Sequence, residues 1–85
     1  MMTGTVTVYG APWCGDCRRT KRFLDQHQIS YTWFDTDDDE QAAVRAQQLQ
    51  NGGMLIPVVV MPDGRVMVEP ADQELARALN VRWPI

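Results

Sequence analysis

The chain has few of the residues that form a structural zinc site, because its 85 residues include two cysteines and one histidine. A structural zinc site needs four ligands, which are usually cysteine or histidine. Cys14, Cys17 and His27 supply at most three from one chain, and His27 lies a helix length away from Cys14. The sequence therefore predicts no metal cofactor held by a single chain, and we expect His27 to be a structural residue.

The sequence also lacks the long apolar run that a membrane-spanning helix needs. Residues 1–4 lack the basic segment and apolar run of a secretion signal, so we expect a cytoplasmic protein. The net charge of −3 gives no reason to expect nucleic-acid binding. A chain of 85 residues predicts one domain, spanning residues 1–85, with a small core.

Both cysteines lie in one short stretch, Cys14-Gly15-Asp16-Cys17. The alternation of Thr5–Tyr9 predicts a strand before this stretch, and Arg18–His27 predicts a helix after it. The unpaired N–H groups and the dipole at a helix start stabilise a thiolate, which is the nucleophilic form. Cys17 lies one turn further along the helix and can close a disulfide. We therefore assign Cys14 as the attacking residue and Cys17 as the resolving residue.

Several side chains around the cysteines have both structural and functional interpretations. Trp13 could shield the Cys14 sulfur and offer a flat surface to a partner, or it could simply pack. The Asp16 carboxylate suits the helix dipole but opposes a nearby thiolate. The basic residues that follow either form the solvated face of the helix or attract an anionic thiol or partner toward Cys14. They are Arg18, Arg19, Lys21 and Arg22.

The rest of the chain predicts two more helices and three more strands. Ile29–Phe34 is typical of a strand, and Asp37 with Glu40 is typical of a helix capping box. Ala43, Ala46 and Leu49 would form the buried stripe of that second helix. The predicted elements that follow are a strand within Met54–Met61, a turn at Pro62–Arg65, a strand at Val66–Val68, a helix that starts at Glu69–Asp72 with Leu75 and Leu79 inward, and a packed tail at Val81–Ile85.

The order of predicted strands and helices resembles that of the thioredoxin superfamily. The short chain resembles a glutaredoxin, and among glutaredoxins it looks most similar to the mycoredoxins. The resemblance covers nearly the whole chain. It is carried by Trp13-Cys14-Gly15-Asp16-Cys17, Asn51-Gly52-Gly53, Ile56-Pro57 and Asp63-Gly64. It implies an α/β thioredoxin-like fold, in which three helices flank a four-stranded mixed sheet in the order strand, helix, strand, helix, strand, strand, helix.

The resemblance also implies roles for residues outside the cysteine motif. Pro57 would follow a cis peptide bond facing the disulfide, and Ile56 would offer its backbone N–H and C=O to a bound substrate. Asp72, at the start of the last helix, could hold a charged end of a thiol cofactor. Trp13 would complete the substrate-binding surface.

The chain departs from glutathione-using glutaredoxins at two places. It has no lysine shortly before Cys14, and Glu69-Pro70-Ala71-Asp72 replaces their usual Gly-Gly-Asp-like turn. Glutathione, mycothiol and bacillithiol therefore all remain candidate co-substrates.

The favoured function is a monomeric thiol–disulfide oxidoreductase that acts on protein disulfides or mixed disulfides with a low-molecular-weight thiol, without a bound cofactor. One alternative keeps this chemistry but has an NADPH-dependent flavoprotein reductase recharge the dithiol. A second alternative is a binding module in which two subunits share a metal ion or iron–sulfur cluster through Cys14.

Overall fold

The computed structural model describes residues 5–84. Two sequence expectations lie wholly or partly outside this range: the missing secretion signal in residues 1–4, and Ile85 of the predicted tail. No helix within residues 5–84 has the length and apolar character to cross a membrane. The elements are β1 (Val6–Gly10), α1 (Gly15–Gln26), β2 (Tyr31–Asp35), α2 (Glu40–Leu49), β3 (Val58–Val60), β4 (Val66–Val68) and α3 (Asp72–Leu79).

The four strands form one mixed sheet in the order β2-β1-β3-β4. β1 and β2 are parallel, with Val8 opposite Trp33, because α1 carries the chain back across the sheet between them. β1 pairs antiparallel with β3, and β3 pairs antiparallel with β4 through the hairpin turn at Gly64. The predicted four-stranded mixed sheet with three helices is confirmed, and it is a thioredoxin-like fold.

The alternating residues of β1 separate two faces of the sheet. Val6 and Val8 are buried in the main core with Phe23 and Leu24 of α1 and Leu75 of α3. The opposite face carries Tyr9 and Phe34, whose rings stack at 5.3 Å between centroids. These two rings border a groove with Ala42 of α2, so α2 lies on the other face of the sheet from α1 and α3.

The first helix starts at Gly15 with Cys14 as its N-cap, so it extends three residues ahead of the run Arg18–His27 that indicated a helix. The Cys14 sulfur accepts a hydrogen bond from the Cys17 N–H, as a capping oxygen would. Both cysteines therefore lie at the helix start, as the cysteine motif predicted.

The second helix is capped by a different residue from the one predicted. The N-cap is Asp39, whose carboxylate accepts from the Ala42 N–H at 3.1 Å, and no Asp37–Glu40 capping box forms. Asp37 instead accepts a bond from the Trp13 indole, a distant contact that local patterning cannot reveal. The buried stripe also differs from the prediction, since Ala42 and Ala46 are buried whereas Ala43 and Leu49 are only partly buried.

The third strand is shorter than the apolar segment that suggested it. β3 covers Val58–Val60, whereas Met54 and Leu55 are 79% and 53% exposed. The extra apolar residues lie in the loop before the strand, at the surface near the cysteines. The tail prediction holds for Val81, which packs against the main core, but Arg82, Trp83 and Pro84 are exposed.

Candidate active site

The Cys14 sulfur lies at the amino-terminal end of α1, where the helix backbone offers it a hydrogen bond. The Cys17 N–H donates to this sulfur at 3.2 Å. The first-turn N–H groups of a helix have no partner within the helix, so they favour a negative charge placed there. Cys14 itself is buried, with 9% of its surface exposed. The hydrogen bond and the helix start together would stabilise a negative charge on the Cys14 sulfur.

The Cys17 thiol is in a different environment, since it is fully buried beneath Cys14. Burial raises the pKa of Cys17 to about 12, and a hydrogen bond with the Cys14 sulfur adds to this shift. At neutral pH Cys17 is therefore a protonated thiol, and its S–H can donate a hydrogen bond to the Cys14 sulfur. The two cysteines are both free. The two sulfurs therefore differ in burial, with Cys17 at 0% and Cys14 at 9% exposure.

Gly10, at the end of β1, is a site residue that the sequence analysis did not identify. A Cβ at this position would stand 2.5 Å from the Cys17 sulfur and 2.9 Å from the Trp33 ring. Trp33 also packs against the buried cluster that contains both cysteines. The signal in the sequence was a glycine between a strand and the cysteine motif. Its physical meaning is that Cys17 occupies the space of the missing side chain.

Trp13 extends from the active-site turn and is 68% exposed, so packing into the core does not explain it. Its indole N–H donates to the Asp37 carboxylate, which holds the ring against the start of α2. The ring borders a groove of about 240 Å³ that runs between α2 and the loop before β3. Met54, Leu55 and Ile56 line the same groove. The groove gives an apolar surface beside Cys14.

Ile56, which precedes Pro57, lines the groove and also contacts the cysteines. Ile56 packs against the cluster of Ala11, Cys14 and Cys17. The peptide bond between Ile56 and Pro57 is cis, as the resemblance implied, and Pro57 is buried. Within residues 5–84 the Ile56 N–H and C=O have no hydrogen-bond partner.

Asp72 lies at the start of α3 and is joined to the active-site helix. Its carboxylate is 3.3 Å from Nε of Arg19, and the same guanidinium donates to the Pro70 carbonyl at 2.9 Å. Arg19 also pairs with Asp16 at 3.3 Å. Asp72 is therefore paired with a cation from α1, although its Oδ1 accepts no hydrogen bond within residues 5–84. The Asp16 charge is partly balanced by the same arginine.

The other basic residues of α1 divide between the two interpretations. Arg18 and Arg22 are exposed, as expected for the solvated face of a helix. Lys21 lies over the Trp33 ring, with its ammonium 4.1 Å from the ring centroid, so it has a packing role. His27 caps the far end of α1 and packs against the Phe23 ring, which agrees with a structural role away from Cys14.

A thioredoxin-like fold with a Cys-x-x-Cys pair at the start of its first helix defines a thiol–disulfide oxidoreductase. The family model of glutaredoxins matches residues 6–67. The chain belongs to the glutaredoxin family.

The relatives agree with this assignment. A glutaredoxin-like protein of Mycobacterium tuberculosis is 30% identical over 93% of this chain and 94% of its own length. Mycoredoxin 1 of Corynebacterium glutamicum is 31% identical over 82% of this chain and 86% of its own length.

Solved structures give the same fold. A point mutant of the thioredoxin-like protein BC3987 superposes with a TM-score of 0.78 at 31% identity, covering 88% of this chain and 99% of that one. A glutaredoxin from Archaeoglobus fulgidus superposes with a TM-score of 0.74 over 91% of this chain and 87% of its own, at 22% identity.

Proposed function

We propose that this oxidoreductase works through a Cys14–Cys17 dithiol/disulfide cycle, with Cys14 as the nucleophile and Cys17 as the resolving thiol. The hydrogen bond from the Cys17 N–H to the Cys14 sulfur is the observation that carries this assignment. It favours negative charge on Cys14, whereas burial keeps the Cys17 proton in place by raising the pKa of Cys17 to about 12. The two sulfurs are thus unequal before any substrate binds.

The cycle consists of two thiol–disulfide exchanges. The Cys14 thiolate attacks one sulfur of a substrate disulfide, forms a mixed disulfide and releases the other sulfur as a thiolate, which takes up a proton. The Cys17 thiol then loses its proton and attacks the Cys14 sulfur. The second substrate sulfur leaves as a thiol, and the protein is left with a Cys14–Cys17 disulfide. Two electrons have passed from the dithiol to the substrate.

The substrate would lie along the groove beside Cys14. Trp13 would contact its side chains, and Ile56 would pair with its backbone because the Ile56 N–H and C=O are unpaired within the described chain. Pro57 fixes the backbone next to this pairing edge. Extended segments that carry a disulfide, in a partner protein or as a mixed disulfide with a small thiol, fit this surface.

The reductant is proposed to be mycothiol, by analogy with mycoredoxin 1, which is 31% identical to this chain. Asp72, the residue predicted to hold the charged end of a small thiol, would contribute only by exchanging its contact with Arg19. Glutathione and bacillithiol are the competing small thiols.

A flavoprotein reductase is the second candidate for the electron supply, and the character of the groove favours it. The groove carries exposed apolar residues, including Trp13 and Leu55, with the Asp37 carboxylate at its rim. Such a surface also suits contact with a protein partner.

One coupled assay tests the function and separates the suppliers. NADPH oxidation would be followed with a mixed-disulfide substrate, using each small thiol with its reductase in one arm and a thioredoxin-type flavoprotein reductase in the other. The mycothiol arm should support turnover that is lost in Cys14→Ser. No turnover in any arm, combined with a coloured or metal-loaded protein after anaerobic purification, would instead support the metal or iron–sulfur module.

We propose that residues 1–85 are one domain, that it acts as a monomer, and that it works in the cytoplasm, where a vicinal dithiol stays reduced between cycles. Light scattering coupled to gel filtration tests the monomer directly.

A further inference from the structure

The Gln50 side chain, just past the end of α2, makes a paired contact with the loop before β3. Its amide nitrogen donates to the Leu55 carbonyl at 2.8 Å, and its amide oxygen accepts from the Leu55 N–H at 3.1 Å. One side chain therefore satisfies both backbone groups of Leu55, as a neighbouring strand would. The contact spans the groove region where Leu55 and Ile56 line the wall next to Trp13.

Gly53 provides the space that this contact needs. A Cβ on Gly53 would stand 2.7 Å from the Gln50 side-chain oxygen and 3.2 Å from its amide carbon. Gly52 has a positive φ of 92°, which glycine adopts without strain, but nothing lies near its missing side chain. The two glycines thus serve different purposes, and the one at position 53 makes room for the Gln50 amide.

The contact at Leu55 has a consequence for Ile56. Ile56 precedes a proline, which restricts its backbone to extended conformations. Gln50 occupies the N–H and C=O of Leu55, the residue next to Ile56, whereas the N–H and C=O of Ile56 are unpaired in the described chain. Fixing Leu55 therefore also fixes the backbone from which the Ile56 groups extend.

We propose that Gln50 is a positioning residue that holds the Ile56 backbone ready to pair with an extended peptide substrate. The inference rests on the proposed function, because it assigns Ile56 the role of a pairing edge. Gln50 does not touch the sulfurs, so it acts on how peptides bind and not on exchange at Cys14. A small disulfide that needs no backbone pairing is reduced equally well with or without the Gln50 contact.

Single-turnover kinetics test this directly. Protein that has been reduced and freed of excess thiol is mixed with a cysteine decapeptide carried as a mixed disulfide with 2-mercaptoethanol, or with 2-hydroxyethyl disulfide. We expect Gln50→Leu to raise the half-saturating peptide concentration about tenfold and to leave the limiting rate within about twofold. The rate with hydroxyethyl disulfide stays at the wild-type value. Gly53→Ala should also raise the half-saturating peptide concentration.

Gln48→Leu is the matched control, because Gln48 is an exposed glutamine of the same helix whose side chain makes no hydrogen bond within residues 5–84. It should leave both substrates unaffected. Hydrogen exchange at the Leu55 amide should accelerate in Gln50→Leu and Gly53→Ala only.

If Gln50→Leu slowed the reactions with the peptide and with the small disulfide equally, or slowed neither, the positioning role would be overturned. The oxidoreductase function would be left intact. Failure of the wild-type protein to react with either disulfide would instead remove the proposed function, and the positioning role with it.

Discussion

The Cys17 N–H lies 3.2 Å from the Cys14 sulfur and donates a hydrogen bond to it, while the Cys17 side chain is fully buried. One residue thus stabilises charge on its neighbour through its backbone and holds its own proton through burial. The difference between the two sulfurs comes from position in one helical turn, because Cys14 is the N-cap and Cys17 faces the core. The order of attack and resolution that we propose rests on that position.

The pKa of Cys17 predicts a loss of stability at alkaline pH. Burial raises it from 9.0 to about 12 in the folded protein, so the unfolded chain releases this proton first as the pH rises. Below pH 9 both the folded and the unfolded protein hold the Cys17 proton, so the stabilisation that this thiol contributes to the folded state is fully present. Between pH 9 and pH 12 the free energy of unfolding should fall by up to about 1.4 kcal/mol per pH unit.

Urea unfolding of the reduced protein at several pH values measures this slope. Burial also raises the pKa of Tyr31, which contributes in the same direction. Cys17→Ala is therefore the reference, because it keeps Tyr31 and removes only the thiol. Parallel curves for the two proteins would show that Cys17 does not carry the effect.

Gly10→Ala should destabilise the protein by about 1–3 kcal/mol, the usual cost of overpacking. The added methyl group would stand 2.5 Å from the Cys17 sulfur. The same clash should slow closure of the Cys14–Cys17 disulfide. Chemical unfolding and the rate of oxidation by oxidised dithiothreitol measure the two effects. Gly15→Ala is the packing control, since nothing lies within 4 Å of a Cβ there, and it should not lose stability.

Asp39→Ala should cost about 0.5–2 kcal/mol, because it removes the side chain that caps α2. Asp38→Ala is the matched control from the same acidic run, whose carboxylate makes no hydrogen bond within residues 5–84. Urea unfolding of both variants distinguishes the positions. A larger loss for Asp38→Ala than for Asp39→Ala would contradict the cap.

The Arg19–Asp72 pair should couple the active-site helix to α3 only weakly. The Arg19 side chain is 38% exposed, so solvent screens the pair and a coupling energy of about 0.2–1 kcal/mol is expected. A double-mutant cycle of Arg19→Met and Asp72→Asn measures it, with Arg18→Met as the exposed control. A coupling of several kcal/mol would mean that the pair behaves as a buried one.

Local patterns were sufficient to predict the order and type of all seven elements. Alternating residues identified β1, and the cysteine motif placed Cys14 and Cys17 at the start of α1. Local patterns failed where a distant contact decides the outcome. Asp37 was predicted to cap α2, but its carboxylate accepts a hydrogen bond from the Trp13 indole instead.

The candidate site, like the fold, was predicted where local spacing decides the geometry and missed where distant contacts do. The spacing of Cys14 and Cys17 predicted their proximity, because residues one turn apart share a helix face. Gly10, Trp33 and Gln50 were missed, because each acts through contact with a residue at least five positions away along the chain. Their roles depend on shape in three dimensions, which residue type alone does not specify.

Trapping of the mixed disulfide tests the central assignment most directly. Reduced Cys17→Ala and Cys14→Ala would each be incubated with the same disulfide peptide, quenched with acid and analysed by mass spectrometry. We expect Cys17→Ala to accumulate peptide on Cys14, and Cys14→Ala to stay unmodified because its remaining thiol is buried and protonated. Accumulation on Cys17 in Cys14→Ala, without accumulation in Cys17→Ala, would contradict the assignment.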